Sequence, residues 1–212
     1  MRRLIVIAMA AATLVLAIVC GMAQPARAQA LEPPRGRQGY YLALGPHFAL
    51  NQHWENGRDW RPWAGYDVSL RVGQMVTRRF GLGLQLHYGG SSGQGQRATL
   101  YGLTVEGQWE LARHLAVRGG VGLDAVSIAT VGATDDSVRG AAGAGYLLGV
   151  SYDWFFTRRQ TGGWAVTPVA QVRLVPGKTD GLVGTVGVEI SYWTGLPRNQ
   201  LDLPPSEAFK PR

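Results

Sequence analysis

Cysteine is nearly missing. Cys20 is the only one among 212 residues, and it directly follows an apolar N-terminal run. With no thiol beyond it, disulfides cannot hold the remainder together and no cysteine-based metal site can form. Charge is scarce too: Asp, Glu, Lys and Arg make up 17% of the chain, against ~25% in ordinary soluble domains. The basic excess is mild. With Arg2, Arg3 and Arg27 set aside, 18 basic residues face 14 acidic ones, dispersed along the chain, which argues against nucleic acid as a partner. No helical periodicity of useful length follows the N-terminal segment. The apolar run at residues 4–19 holds 16 residues, short of the ~20 that a membrane-spanning helix needs.

That run has the layout of an export signal rather than an anchor. Arg2 and Arg3 precede it, and Ala26-Arg27-Ala28 and Ala28-Gln29-Ala30 offer small-x-small cleavage sites. Val19 precedes Cys20 where a lipoprotein signal would carry a small residue, so lipidation is not expected. The expected organisation is a signal over 1–28, a linker over 29–38, one domain over 39–193 and a disordered tail over 194–212. The tail holds Pro197, Pro204, Pro205 and Pro211.

Glycine and aromatic residues are plentiful: 30 Gly, 8 Tyr, 7 Trp and 5 Phe. This composition disfavours helices and suits strands and turns. Eight stretches alternate apolar with small or polar residues at period two: 40–50, 66–76, 80–88, 101–111, 115–124, 145–154, 164–174 and 182–192. The first sets Tyr40, Leu42, Leu44, Phe48 and Leu50 against Tyr41, Ala43, Gly45 and His47. The fourth sets Tyr101, Leu103, Val105, Trp109 and Leu111 against Gly102, Thr104, Glu106, Gln108 and Glu110. Pro168 interrupts the seventh. Connections alternate in length. Short ones at 77–79, 112–114 and 157–163 hold Arg78-Arg79, Arg113-His114 and Arg158-Arg159, and longer ones span 51–65, 89–98, 128–143 and 175–181. Membrane barrels show this asymmetry, with short periplasmic turns and longer outer loops.

Alternation does not say which face is wet. A soluble lipocalin-like ligand-binding barrel puts its apolar face inward; a membrane barrel puts it outward. Two features favour the second. The non-apolar face is rich in Gly, Ser and Ala, which suit the narrow lumen of an eight-stranded barrel. The aromatics also collect at strand ends. Tyr40, Phe80, Trp109, Trp154, Trp164 and Tyr192 lie near the short turns, and Phe48, Tyr66, Tyr88, Tyr101 and Tyr146 near the loops, as interfacial girdles would. The fold expected is all-β: an eight-stranded antiparallel up-and-down transmembrane β-barrel.

Over residues 38–193 this pattern resembles the small outer-membrane barrels of the OmpA transmembrane-domain and OmpX type. One local motif, Thr185-x-Gly187-x-x-Ile190-x-Tyr192, looks like the last-strand signal read by the outer-membrane assembly machinery. The resemblance implies an outer-membrane location, that machinery as a partner, and lipid and lipopolysaccharide as surroundings. The tail is too short for a peptidoglycan-binding domain, so that role does not carry over. A monomer without cofactor or metal is expected.

The lumen face carries Asp67, Arg71, Glu106, Glu110, Arg118, Asp124, Asp153, Arg173 and Glu189. Unpaired charges in so narrow a space are costly, so Arg118 is expected to pair with Glu106, Glu110 and Asp153, with Arg71, Arg173 and Glu189 in the same lumen cluster. This predicts a structural plug; the alternative is a gate or narrow ion path. Some small outer-membrane barrels modify lipid A as acyltransferases or deacylases, which requires a His, a Ser and a carboxylate near the outer leaflet. Candidates are His53 with Asp136 and Ser137, or His87 with Ser91 or Ser92, and no His-x-Ser stands at a strand end. Trp54, Arg58, Trp60, Arg61 and Trp63 form an aromatic and basic run in the first long loop, suited to lipopolysaccharide phosphates or to the girdle. Arg78, Arg79, Arg158 and Arg159 could meet anionic lipid or simply be solvated turns. The leading expectation is a non-catalytic barrel with a structural or surface-interaction role.

Overall fold

The fold was analysed in a computed structural model. It describes residues 37, 39–55, 58–59, 62–77, 79–112, 114–131, 139–156, 162–175 and 179–195. The expected signal and nearly all of the expected tail lie outside these.

Every described element is a strand: β1 (Tyr40–Glu55), β2 (Arg58–Asp59), β3 (Trp63–Met75), β4 (Phe80–Gly93), β5 (Gln96–Ala112), β6 (Leu115–Thr130), β7 (Arg139–Tyr152), β8 (Trp154–Phe155), β9 (Gly163–Val175) and β10 (Thr179–Trp193). The two-residue pieces β2 and β8 pair onto β1 and β9, and the other eight form the wall. Each wall strand runs antiparallel to its neighbours in chain order, and β10 closes the ring on β1. Closure removes both sheet edges and satisfies the backbone within the wall, as a hydrocarbon surrounding demands.

The register decides which face meets lipid. Ile190, Leu44, Leu70, Leu86, Leu103 and Leu123 stand opposite one another across five successive strand pairs. All of them point outward and are exposed. The alternate row carries Arg71, Gln85, Glu106, Arg118, Thr167 and Glu189, all buried. A soluble barrel would reverse these faces, so the lipocalin-like alternative is excluded by the side-chain directions. Putting a charge in the belt tests the same point. Leu103→Arg should cost roughly 2–4 kcal/mol near the bilayer midplane, read as a lower urea midpoint in phospholipid vesicles. An unchanged midpoint would place Leu103 away from lipid.

The strands are longer than the alternation indicates, 13 to 17 residues in the wall, against the ~9–11 that cross a bilayer. The largest departure is at 89–98, expected as a long loop. There β4 and β5 pair to Gly93↔Gln96, leaving only Gln94 and Gly95 in the turn. Both have positive φ, 54° and 73°, as a two-residue type I′ hairpin requires. The composition GGSSGQGQR reads as loop, but small and polar residues continue a strand when both neighbours supply ladder partners.

Candidate functional site

The lumen is the site, and it is filled in layers. At the base, Arg37 enters beneath the wall from the expected linker and is buried. Its Nε donates to Asp153 Oδ2, and its Nη2 donates to the His114 carbonyl at 3.0 Å. Asp153 Oδ1 accepts from Thr167 Oγ1 at 2.7 Å, and that hydroxyl lies 2.9 Å from Ser191 Oγ. Tyr41 and Trp193 pack beside this layer with ring centroids 4.7 Å apart. Thr194 continues the closure, its amide donating to the Tyr40 carbonyl at 2.9 Å.

The middle layer is built on Glu106. Its Oε2 lies 2.7 Å from Arg118 Nη2 and its Oε1 2.8 Å from Arg71 Nε, and Tyr41 donates its phenol to Oε1 at 3.0 Å. Arg71 reaches on to Glu189, Nη1 to Oε2 at 2.7 Å, and Ser69 donates to Glu189 Oε1 at 2.9 Å. Arg118, Glu106 and Glu189 have no exposed side-chain surface. At such burial each charge depends on its partners, because removing one leaves an uncompensated ion.

Just outward, Arg173 Nη1 donates to Thr104 Oγ1 at 2.7 Å and to Asp124 Oδ1 at 3.1 Å. Two imidazoles join Asp124 to Glu189. His87 Nε2 is 2.9 Å from Asp124 Oδ1 and its Nδ1 3.4 Å from Asp67 Oδ1. His47 Nδ1 is 3.3 Å from Asp67 Oδ2 and its Nε2 3.5 Å from Glu189 Oε1. Glycine makes this possible. Gly102 stands opposite both His87 and Asp124, and a Cβ there would collide with the Asp124 carboxylate and come within 2.7 Å of His87 Nε2. Gly187 likewise leaves room for the His47 ring.

The outer half of the lumen holds an apolar cluster beside the buried Asn51, Ser91 and Thr185. Ala49, Trp63, Ala98, Leu100, Val126, Ile128, Val175 and Val183 form one buried cluster, gathered from β1, β3, β5, β6, β9 and β10. Trp63, expected in the exposed loop run, is thus corrected to a lumen residue. It is 2% exposed, because β3 begins at Trp63 itself and its parity turns the indole inward over Gly93, where a Cβ would lie 2.7 Å from the indole Cγ.

Arg118, Glu106, Arg71 and Glu189 therefore come together, and Arg173 stands beside them on Asp124. Asp153 and Glu110 do not join Arg118. Arg118 is opposite Gln108 and Gly149, so Asp153, past the end of β7, lies lower and takes Arg37. Glu110 is opposite Ala116, and its Oε1 accepts from the His114 amide at 3.2 Å, tying the β5–β6 turn. The alternation placed both on the correct face but not at the correct depth. Arg37, His47 and the apolar outer cluster were not anticipated. In-register His87, Gly102 and Asp124 are the only sequence signal for the imidazole chain.

Outside, Tyr40, Tyr66, Tyr88, Tyr101, Trp109, Tyr146, Trp154, Trp164 and Tyr192 are exposed, and Phe80 is half-buried. Phe80 packs on Trp109 with centroids 5.9 Å apart, and Trp164 on Tyr192 at 5.0 Å. Tyr88 stands opposite Tyr101 at the other end. Of the last-strand motif, Ile190 and Tyr192 face outward, while Thr185 faces the lumen. Arg79 is exposed in the β3–β4 turn, where Thr77 Oγ1 accepts from the Phe80 amide at 2.9 Å. Trp60, Arg61, Arg78, Asp136, Ser137, Arg158 and Arg159 lie outside the described residues, as do the side chains of His53, Trp54 and Arg58.

No family model matches the sequence, and no curated protein matches it. Solved structures do. Ail, the attachment invasion locus protein of Yersinia pestis, solved with the heparin analogue sucrose octasulfate, aligns with a TM-score of 0.53 and 10% identity over 73% of this chain and 99% of its own. A second Ail structure aligns at 0.50 and 13%, over 73% and 98%. Neisserial surface protein A aligns at 0.49 and 14%, over 74% and 99%. At these identities the likeness is one of fold. Together with this chain's own outward aliphatic belt, which suits a hydrocarbon surrounding, the likeness to Ail makes the protein an eight-stranded antiparallel transmembrane barrel.

Proposed function

We propose that this protein is a non-catalytic integral outer-membrane barrel whose lumen is closed by its own side chains, leaving its duty, structural or surface-interacting, to the wall and the outer loops. One observation carries the reading: the bridge Arg118–Glu106–Arg71–Glu189 crosses the lumen with successive contacts of 2.7, 2.8 and 2.7 Å. Above it lies the apolar cluster, and below it Arg37 with Asp153. An ion passing through would have to separate buried pairs whose parting is costly. Outer-membrane lipid and lipopolysaccharide are the surroundings that the two aromatic bands suit, and a wall without edges favours a monomer. The exposed Ile190 and Tyr192 suit a contact with the assembly machinery before closure.

Planar-bilayer recording of the purified full chain tests the closure. The expected trace is flat, with at most brief flickers. Large, steady single-channel currents from the wild type would defeat the plug.

The second reading is a lipid A-modifying enzyme, and the lumen geometry argues against its His87 version. Both ring nitrogens of His87 face carboxylates. Ser91 stands four residues along β4, about 13 Å away at ~3.3 Å per residue, and Ser92 points to the other face. A base so occupied and so distant cannot take the serine proton. Mass analysis of lipid A from cells with and without the protein checks the enzyme reading as a whole; a mass change lost in Ser137→Ala would restore it.

A further inference from the structure

The chain Glu189–His47–Asp67–His87–Asp124 poses a proton-counting problem. Four ring nitrogens each lie within 3.5 Å of a carboxylate oxygen. Each such contact is attractive only with a hydrogen between the two atoms. A neutral imidazole carries one N–H and presents a lone pair at its other nitrogen; an imidazolium donates from both. Three of these contacts are hydrogen bonds, and the fourth, His47 Nε2 to Glu189 Oε1, is an ion-pair approach without hydrogen-bond geometry. Two neutral rings supply two hydrogens for the three, so one hydrogen-bond contact sets a lone pair against a carboxylate.

The surrounding charges lean the same way. His47, on β1, faces Asp67 from β3 and Glu189 from β10. His87, on β4, faces Asp67 and, from β6, Asp124. Beyond these stand Arg71 from β3, Glu106 from β5, Arg118 from β6 and Arg173 from β9, with Tyr41 from β1 on Glu106. From β7 come Gly145, Leu147 and Gly149, none of them titratable. Among the described residues of this cluster, three guanidiniums stand against four carboxylates. A proton on one of the two rings offsets that deficit of one.

We propose that His47 and His87 form a proton-operated latch in the barrel wall: protonated, the two rings hold Asp67 between them, tie Asp124 and draw in Glu189 by charge, and on losing their protons they give up at least one of these attractions. The latch spans β10, β1, β3, β4 and β6, including the β10–β1 seam where the barrel closes. A protonated latch therefore strengthens the closed ring, and a deprotonated one loosens it. This rests on the contact geometry alone and holds whether or not the lumen conducts.

The test is thermal unfolding of the full chain in phosphatidylcholine vesicles, followed by the gel shift between folded and unfolded forms, from pH 5.5 to 8.5. The wild-type midpoint should fall by roughly 4 °C or more as pH rises. In the double variant His47→Gln, His87→Gln, whose amides donate without titrating, most of that slope should vanish. A wild-type midpoint that is flat or rises with pH overturns the latch, as does a double variant that keeps the full slope. Should the double variant not fold, nitrogen NMR of 15N-histidine-labelled wild type decides. Rings carrying two hydrogens at pH 5.5 and one at pH 8.5 support the latch, and rings in one state throughout overturn it. Bilayer currents read the plug separately, so the two readings can fail independently.

Discussion

Replacing Glu106 with Leu should lower barrel stability by about 3–5 kcal/mol, the usual cost of removing one partner from a buried ion pair. Glu106 is the short ion-pair partner of Arg118 and one of two for Arg71. Without it, Arg118 keeps Glu189 at 3.8 Å and Gln85 at 3.5 Å, too long to replace a contact of 2.7 Å. The loss should appear as a lower urea midpoint in vesicles and a gel shift at lower temperature. Adding Arg118→Met should recover part of it, because a buried pair exchanged together for apolar side chains costs far less than half a pair. A single variant as stable as wild type, or a double variant worse than the single, would mean that the network does not hold the wall.

Gly102→Ala should be similarly severe, though it adds only one methyl group. The new Cβ would lie 2.6 Å from the Leu123 carbonyl oxygen and 2.7 Å from His87 Nε2, and would collide with Asp124 Oδ1. The carbonyl belongs to the neighbouring strand and cannot swing aside. The wall must bend or His87 and Asp124 must part, and overpacking of this kind typically costs ~1–3 kcal/mol, with the broken buried contact added. Gly184→Ala is the control, because a Cβ there meets nothing within 4 Å. The first variant should fold in reduced yield and unfold at lower urea, and the second should match the wild type. Equal behaviour of the two would show that position 102 has room that the geometry denies it.

Gly102 also marks the limit of what could be read in advance. As a residue it is one small member of an alternating face, and alternation needs only the chain's local period of two. Leu103 outward and Thr104 inward were therefore legible, as were the eight strands, because each strand carries its own pattern. Trp63 and the 89–98 segment were not. Their composition suits loops, and the ladder partners that keep β3, β4 and β5 extended lie on other strands. Glu110 and Asp153 failed for a related reason: side-chain direction repeats along one strand, but depth in the barrel depends on the stagger between strands. Arg37 was outside any pattern, since only its approach to Asp153, 116 residues away, gives it a role.

The amino-acid sequence by itself settled the strand count, the antiparallel order and the two faces of the wall, since hydrophobic alternation is a property of neighbouring residues. The tertiary structure alone decided which charges meet, where glycines give way to imidazoles, and that an apolar cluster gathers in the outer lumen. Those depend on register around a closed ring, where residues far apart in sequence share a few ångströms of space.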